Sequence, residues 1–328
     1  MPAGYSPLER ARRRQTVLTI VALIVLALAA LALYQFAWVT GSWSYTMNLR
    51  ARQVGALVVA GVSVGVSSVV FQTIAGSRIL TPGVMGFDAL YVLVNTFVVF
   101  LFGSATFMTL SVAQLAVVNT AALTLFGVLL FRGLFRRHSR NLLVLVLIGI
   151  VMGALFASLS SFASRLLSPD DYLSLQSALF ASFNTVDATL LAVVAVITLM
   201  GCAMLVPVLR HLDAIDLGFE GAICLGVPYH RVVSWCLLVV TALVATATAL
   251  VGPITFLGLV VANLARQLLR THRHRPLVVG SAAIGVVSTV IGQLVVARLL
   301  NQSTPLAVVV NVIGGIYFLA LVMRTVRL

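Results

Sequence analysis

Long apolar stretches separated by short polar breaks make up this chain from about residue 16 to its end. A helix needs about 20 consecutive apolar residues to cross the hydrocarbon core of a bilayer. The pattern predicts ten such spans, at 16–38, 53–75, 84–102, 106–131, 142–163, 187–208, 231–251, 254–269, 277–299 and 305–323. The seventh and eighth are separated by Gly252 and Pro253, a pair that breaks a helix. We therefore predict an all-α, polytopic membrane protein.

Two of the polar connections are too long to be simple turns. Residues 164–186 contain Ser168 and Pro169 followed by two aspartates, an order typical of a helix start, and they predict a short helix at the membrane surface. Residues 209–230 mix apolar and acidic side chains, and Gly218 and Gly226 limit the length of any helix there. This second stretch predicts two short helices joined by a turn, which we interpret as a docking element for a cytoplasmic partner.

Composition leaves no room for a separate soluble domain. The chain is 61% hydrophobic and 9% charged, whereas soluble domains are about half apolar and a quarter charged. We expect a single transmembrane domain over 1–328, with 1–15 as a cytoplasmic tail and the first apolar span retained as a membrane helix rather than removed as a signal peptide.

Arginine placement predicts the orientation of this domain. If the N-terminus is cytoplasmic, 17 of the 21 basic residues, all arginine, fall on the inside and four on the outside. The positive-inside rule therefore favours an even number of spans with both termini in the cytoplasm. The arginines lie in short runs between spans rather than on one basic face, which argues against a nucleic-acid partner.

No enzyme constellation is present in the sequence. The five histidines lie in predicted loops beside arginines, and in the run from Arg270 to Arg275 the neighbouring cations disfavour metal binding around His272 and His274. The glycines follow no strand and precede no lysine, so no phosphate-binding loop is indicated. We predict no metal, no cofactor and no catalytic residue, and we place any ATP site on another subunit.

Polar side chains within the spans have two interpretations. Ser67, Ser68, Gln72 and Asn95 could line a transport pathway, or could simply form hydrogen bonds between helices. Small residues such as Gly61, Gly65, Gly149 and Gly153 allow close helix packing, and the sequence does not separate packing from pore lining. The spans lack the buried chain of acidic residues and histidines that a proton-coupled carrier needs, although coupling to sodium stays open.

Three arginines lie at the outer membrane boundary, where positive charge is disfavoured. Arg50 and Arg52 precede the second span and Arg298 ends the ninth. They could extend to lipid headgroups. Alternatively, they could receive acidic side chains of a soluble delivery protein, since complementary charges at a rim set register and association rate.

Three sequence blocks resemble the FecCD-type permeases, the membrane subunits of ABC importers for ferric siderophores, haem and cobalamin. The first is the segment from Arg50 to Tyr91, with FQTIAGSRILTPGVMGFDALY. The second is GAICLGVPYHR, from Gly221 to Arg231. The third is GPITFLGLVVANLARQLL, from Gly252 to Leu269, with TPLAVVVNVIGGIYFLALVMR near the C-terminus. The blocks occur in family order along nearly the whole chain.

The resemblance implies a type II ABC importer permease fold with ten helices, placed in the bacterial cytoplasmic membrane. It implies a cytoplasmic ATPase dimer, an extracytoplasmic substrate-binding protein and a second permease subunit, which could be a related chain or a copy of this one. Arg50, Arg52 and Arg298 would receive the binding protein. The ATPase would contact a set of residues within 209–230: Asp213, Asp216, Gly218, Glu220, Ala222 and Gly226.

The cargo implied by the resemblance is a ferric siderophore, often of catecholate type. The cobalamin-type version usually has Pro-His where this chain has Ala262 and Asn263, and glycine where Ser68 stands. These departures favour the iron-chelate subgroup and weaken a cobalamin assignment, and a haem or cobalamin permease stays as an alternative with the same mechanism. An ion-coupled secondary transporter is the alternative from a different functional class.

Overall fold

A computed structural model describes residues 7–36, 43–135, 142–179, 187–300 and 304–326 of the chain. Within these ranges it has α-helices and one 3-10 turn, Pro82–Met85. The helices are α1 (Pro7–Phe36), α2 (Trp43–Ala75), α3 (Phe87–Thr109), α4 (Val112–Phe135), α5 (Leu142–Arg165), α6 (Pro169–Leu179), α7 (Ala188–Leu205), α8 (Leu209–Ile215), α9 (Phe219–Cys224), α10 (Tyr229–Val251), α11 (Leu257–Leu269), α12 (His274–Arg298) and α13 (Leu306–Val326). The all-α fold is therefore confirmed.

Each of the ten predicted spans corresponds to one helix, although α3 continues to Thr109, into the predicted fourth span. Among the described residues, eight helices are long and apolar enough to cross a membrane: α1 to α5, α7, α10 and α12. The second begins about ten residues earlier than predicted, at Trp43, so Arg50 and Arg52 lie within a helix rather than at its start. The short helices α6, α8 and α9 lie in the two long connections.

The eighth predicted span, 254–269, differs from the prediction. Residues 252–256 are not helical, and α11 has 13 residues, a length of about 20 Å that is too short to cross a bilayer alone. Gly252 has a φ of 81°, and Pro253 follows it without an amide hydrogen, so the chain cannot continue the helix of α10.

The antiparallel pair α2 and α12 forms the centre of the bundle. A Cβ on Gly285 would lie 2.1 Å from the carbonyl oxygen of Gly61, and a Cβ on Gly65 would lie 2.5 Å from the carbonyl oxygen of Ser281. The two backbones are thus in direct contact, as small residues in membrane helices allow. Thr289 continues this register by donating a hydrogen bond to the carbonyl oxygen of Leu57 at 3.0 Å.

The helices around this pair differ in how much of their surface is buried. α10 packs against α2, α4 and α7, and its side chains are buried almost all round. By contrast, α1 exposes Leu18, Val25 and Leu28, as a helix facing lipid does. Ser63 on α2 shares a hydrogen bond of 2.9 Å with Thr198 on α7, which satisfies both hydroxyls away from water.

The surface helix α6 attaches to a kink in α3. Gly103 has φ 75° and ψ 163°, which frees the amide of Ser104 to donate to Asp171 Oδ1 at 2.9 Å. Hydrogen bonds from Ser104 and from Ser168 hold the pKa of Asp171 below its usual value. A carboxyl group whose pKa is lower in the folded state than in the unfolded state stabilises the folded state when the pH is above the unfolded-state pKa. The attachment of α6 is therefore present at neutral pH and is lost only in acid, as pH falls through that lowered pKa.

Adding one methyl group at the contact between α2 and α12 should destabilise the bundle. We expect Gly285→Ala to lower the unfolding free energy by about 1–3 kcal/mol, because the neighbouring backbone cannot move aside. Gly315→Ala in α13 is the matched control, since its Cβ would meet nothing within 4 Å. The measurement is the Tm of the detergent-purified protein, and equal Tm values for the two variants would contradict the packing.

Candidate functional site

A small cavity, lined by both apolar and polar residues, lies between two breaks in α-helical structure. One break comprises 76–86, between α2 and α3, and the other comprises 252–256, between α10 and α11. The cavity has a volume of about 30 Å³, enough for about two waters. Its polar lining residues are Ser67, Ser68, Thr81, Asp88, Thr248 and Thr255.

Asp88 is the ionisable residue of this cavity. It lies in the first turn of α3, where the positive end of the helix dipole favours a carboxylate. Its Oδ2 accepts a hydrogen bond from the hydroxyl of Thr255. Thr81 in turn donates to the carbonyl oxygen of Thr255 at 3.4 Å. Two hydrogen bonds therefore connect Thr255 in the second break to Thr81 in the first break and to Asp88 at the start of α3.

Asparagine side chains satisfy backbone groups of both breaks. Asn311 on α13 accepts from the amide of Phe256 at 3.4 Å and donates to the carbonyl oxygen of Pro253 at 3.5 Å. Asn263 on α11 donates to the carbonyl oxygen of Arg78 at 2.9 Å. Irregular backbone at membrane depth is tolerated only where protein or a cavity supplies such partners.

The four predicted pathway residues divide into two groups. Ser67 and Ser68 line the cavity, and Gln72, one turn further along α2, is 2% exposed with both amide atoms unpaired. Asn95 is not among the cavity-lining residues. It donates to Asn119 Oδ1 on α4 at 3.1 Å and accepts from the amide of Asn119 at 3.4 Å, so it joins two helices.

The predicted docking arginines lie where α2 begins and α12 ends. Arg50 donates to the carbonyl oxygens of Tyr34 at 3.3 Å and Gln35 at 3.2 Å, which satisfies the last turn of α1. Arg298 and Arg50 both act electrostatically on the Tyr34 hydroxyl, so they lie on one part of the rim. Arg52 and Arg298 are exposed. Arg50 therefore has a structural role in addition to any docking role.

At the opposite end of α2, helices α8 and α9 present a mixed surface. Leu217, Ile223 and Leu225 are 69%, 48% and 62% exposed. Gly218 separates the two helices with a φ of 92°, and Gly226 follows α9 with a φ of 76°; both values belong to the left-handed region that glycine tolerates. An exposed apolar surface with acidic residues around it suits a protein partner.

The six predicted contact residues of this region differ in exposure. Asp216 and Glu220 are exposed. Ala222 is fully buried, so it packs α9 against the rest of the protein and is not available to a partner. Asp213 directs Oδ1 toward His274, at 2.7 Å from Nδ1.

The interpretation of His274 as an ordinary loop residue is wrong. It is the first residue of α12, is 1% exposed, and contacts both Asp213 and Thr73. The arginine-rich sequence around His274 does not indicate these contacts, because only the fold brings α8 and the end of α2 next to His274. Beside it lies a cavity of about 740 Å³ lined by Arg78, Arg266 and Arg270.

The sequence of this chain matches a family of transport proteins and two related permeases. The FecCD transport family model matches residues 15–324. The petrobactin import system permease protein YclO of Bacillus subtilis is 40% identical over 302 residues, covering 92% of this chain and 96% of YclO. The petrobactin import system permease protein FatC of Bacillus anthracis is 30% identical over 325 residues, covering 98% and 92%.

More distant proteins are also similar, one in sequence and one in structure. The ferric enterobactin permease FepD of Escherichia coli is 29% identical over 305 residues, covering 91% of this chain and 88% of FepD. An inward-facing ABC transporter assigned to the metal-chelate type has a TM-score of 0.79 at 22% identity, covering 94% of this chain and 99% of that chain. The structural likeness shows that the fold is the same.

Removing the hydroxyl that donates to Asp88 should destabilise the protein. Thr255→Val keeps the side-chain shape but leaves the carboxylate without this donor, which we expect to cost about 1–3 kcal/mol of unfolding free energy. Thr246→Val is the control, because that hydroxyl donates only to Ala242 and Leu243 of its own helix. Thermal unfolding in detergent measures both, and a Thr255 variant as stable as the control would refute the role of this bond.

Proposed function

Because the chain belongs to the FecCD transport family, we propose that it is the membrane-spanning permease subunit of a binding-protein-dependent ABC importer for a ferric siderophore. The observation that carries the proposal is the 40% identity with YclO, a petrobactin import permease, along 92% of this chain. FatC and FepD, named for petrobactin and ferric enterobactin, support a siderophore as cargo, and we propose the catecholate type from the sequence resemblance.

The permease itself would perform no chemistry. ATP hydrolysis would reside on a cytoplasmic ATPase dimer, whose motion opens the pathway alternately to the two sides of the membrane. The exposed Leu217 and Leu225, with Asp216 and Glu220 beside them, form the surface that such a subunit would contact. Gly218 would form the turn between the two helices, and Gly226 would form the turn that follows α9. Ala222 would pack α9 against the rest of the protein, and Asp213 would bind His274 rather than the ATPase.

A substrate-binding protein would deliver the chelate at the opposite end, where α2 begins. Arg52 and Arg298 are exposed there, and Arg50 lies beside them. Acidic side chains on the binding protein would complement this positive rim and fix its register. Ser67, Ser68 and Gln72 are the residues we propose near the pathway or its gate, and Asn95 would support the helices around it.

The membrane and the second subunit would cover the remaining apolar surface. Large apolar side chains are exposed along α1, α4, α5 and α7. The exposed apolar area is larger than soluble monomeric proteins usually have. We propose a bacterial cytoplasmic membrane location with both termini in the cytoplasm, as the arginine distribution favours. The second permease subunit would be a related chain or another copy of this one.

Two alternatives remain distinct from this proposal. A vitamin B12 permease of Vibrio vulnificus is 29% identical over 293 residues, and a cobalamin or haem permease would share the mechanism and differ in cargo. An ion-coupled carrier is favoured by one observation, the carboxylate of Asp88 between two helix breaks, since carriers coordinate ions at such breaks.

Uptake in proteoliposomes distinguishes these functions. The permease, its ATPase and its binding protein should import a ferric catecholate siderophore only when ATP is inside with the ATPase. An ATPase whose catalytic glutamate is replaced should abolish uptake, and an ionophore should leave uptake unchanged. Uptake that survives the inactive ATPase but collapses with the ionophore would establish an ion-coupled carrier instead.

Charge reversal at the rim tests delivery. We expect Arg52→Glu combined with Arg298→Glu to slow association of the binding protein about tenfold or more at low salt, with a smaller effect at high salt, because the field steers the encounter. Arg165→Glu is the matched control, since Arg165 is equally exposed but ends a different helix, α5. Equal association rates for the double variant and the control would exclude docking at these arginines.

A further inference from the structure

A buried imidazole joins the surface helix α8 to three membrane helices. Nδ1 of His274 lies 2.7 Å from Asp213 Oδ1 on α8, and Nε2 lies 2.8 Å from Thr73 Oγ1 near the end of α2. Arg266 on α11 donates to the same threonine hydroxyl at 3.3 Å. Because His274 begins α12, four helices meet around one ring and one hydroxyl.

Asp213 also caps α12 from outside that helix. The backbone amide of His274 donates to Asp213 Oδ1 at 2.7 Å, while the N-cap residue Arg273 supplies no side-chain hydrogen bond. The first amides of a helix have no partner within it, and a carboxylate there is favoured by the helix dipole. Since the carboxylate oxygen can only accept, Nδ1 of the ring donates. Any displacement of α8 therefore acts on the beginning of α12.

The packing of α2 and α12 carries such a displacement further into the membrane. Their contact at Gly61 and Gly285 is backbone against backbone, with no side chain between them to absorb a shift. Thr73 stands two residues before the end of α2, and the non-helical segment after it leads to Thr81 at the cavity. Asp213, His274 and Thr73 thus connect the surface helices to the break that borders Asp88.

We propose that His274 is a positioning residue that couples the helices α8 and α9 to the ends of α2 and α12. Movement of the ATPase would reach the cavity through Asp213, the His274 ring and the Thr73 hydroxyl. This inference rests on the proposed function of α8 and α9 as the ATPase contact. It assigns Asp213 to the interior linkage and leaves the exposed Asp216 and Glu220 to the partner surface.

Transport coupling tests the linkage in the complete transporter. Asp213→Ala and Thr73→Val should each lower the number of siderophores imported per ATP hydrolysed by about 2- to 30-fold, the range of coupling effects that single residues produce. ATP hydrolysis and co-purification of the ATPase should persist. Asp213→Asn should retain most coupling, because its amide oxygen still accepts both hydrogen bonds, and Thr246→Val should behave as the wild type.

Combining the two changes adds a sharper criterion. Residues that act through one linkage are not additive, so the variant with both Asp213→Ala and Thr73→Val should be no worse than either single variant. Unchanged coupling in both single variants, or additive losses, would overturn the proposal. Loss of ATPase co-purification in Asp213→Ala would also overturn it, because Asp213 would then be a docking residue.

Hydrogen exchange in the purified permease tests the linkage without any partner. Asp213→Ala should raise amide exchange both in 209–215 and in 70–75, whereas Thr246→Val should raise it in neither. Faster exchange confined to α8 would overturn the proposal. A transporter that shows no ATP-driven uptake would refute the proposed function, and this exchange measurement would still decide whether α8 is linked to α2.

Discussion

The backbone contact between Gly61 of α2 and Gly285 of α12 is the constraint on which the bundle depends. Lipid tails are as apolar as leucine, so membrane helices gain little from burying apolar surface and associate through close packing. A Cβ at either glycine would lie within 3 Å of the opposite backbone. This contact sets the register of the central pair, and the register in turn brings His274 to the end of α2 and Arg298 to its beginning.

The two helix breaks follow from the need to satisfy every backbone polar group at membrane depth. The chain leaves α-helical geometry at 76–86 and 252–256, and side chains from neighbouring elements supply the missing hydrogen-bond partners. Asn311, Asn263 and Thr81 pair with freed backbone groups, and Thr255 donates to Asp88. Since the breaks lie side by side, they enclose a small cavity to which Asp88 and several hydroxyl side chains contribute.

The same helices connect two chemically different surfaces. At one end, exposed arginines form a positive rim; at the other, α8 and α9 expose leucines between acidic residues. The proposed function requires both surfaces to respond to each other, because delivery and ATP hydrolysis would then occur on opposite sides of the membrane. Hydrogen bonds among Asp213, His274 and Thr73 connect α8 to the end of α2 and the start of α12. The close packing of α2 with α12 then extends from these residues to the end of the bundle where Arg298 lies.

The sequence by itself determined the class of the protein and the number of its apolar helices, because hydrophobic length and arginine placement depend on local composition. It also predicted short helices in 164–186 and 209–230, where α6, α8 and α9 lie. It could not separate Gly61, which packs against a backbone, from Ser67 and Ser68, which line the cavity, since both patterns are small residues on one helix. It likewise treated His274 as a loop residue among arginines. Only the tertiary structure decided these points, because they depend on which helices distant in sequence meet: Gly61 packs on Gly285, and His274 contacts Thr73 and Asp213.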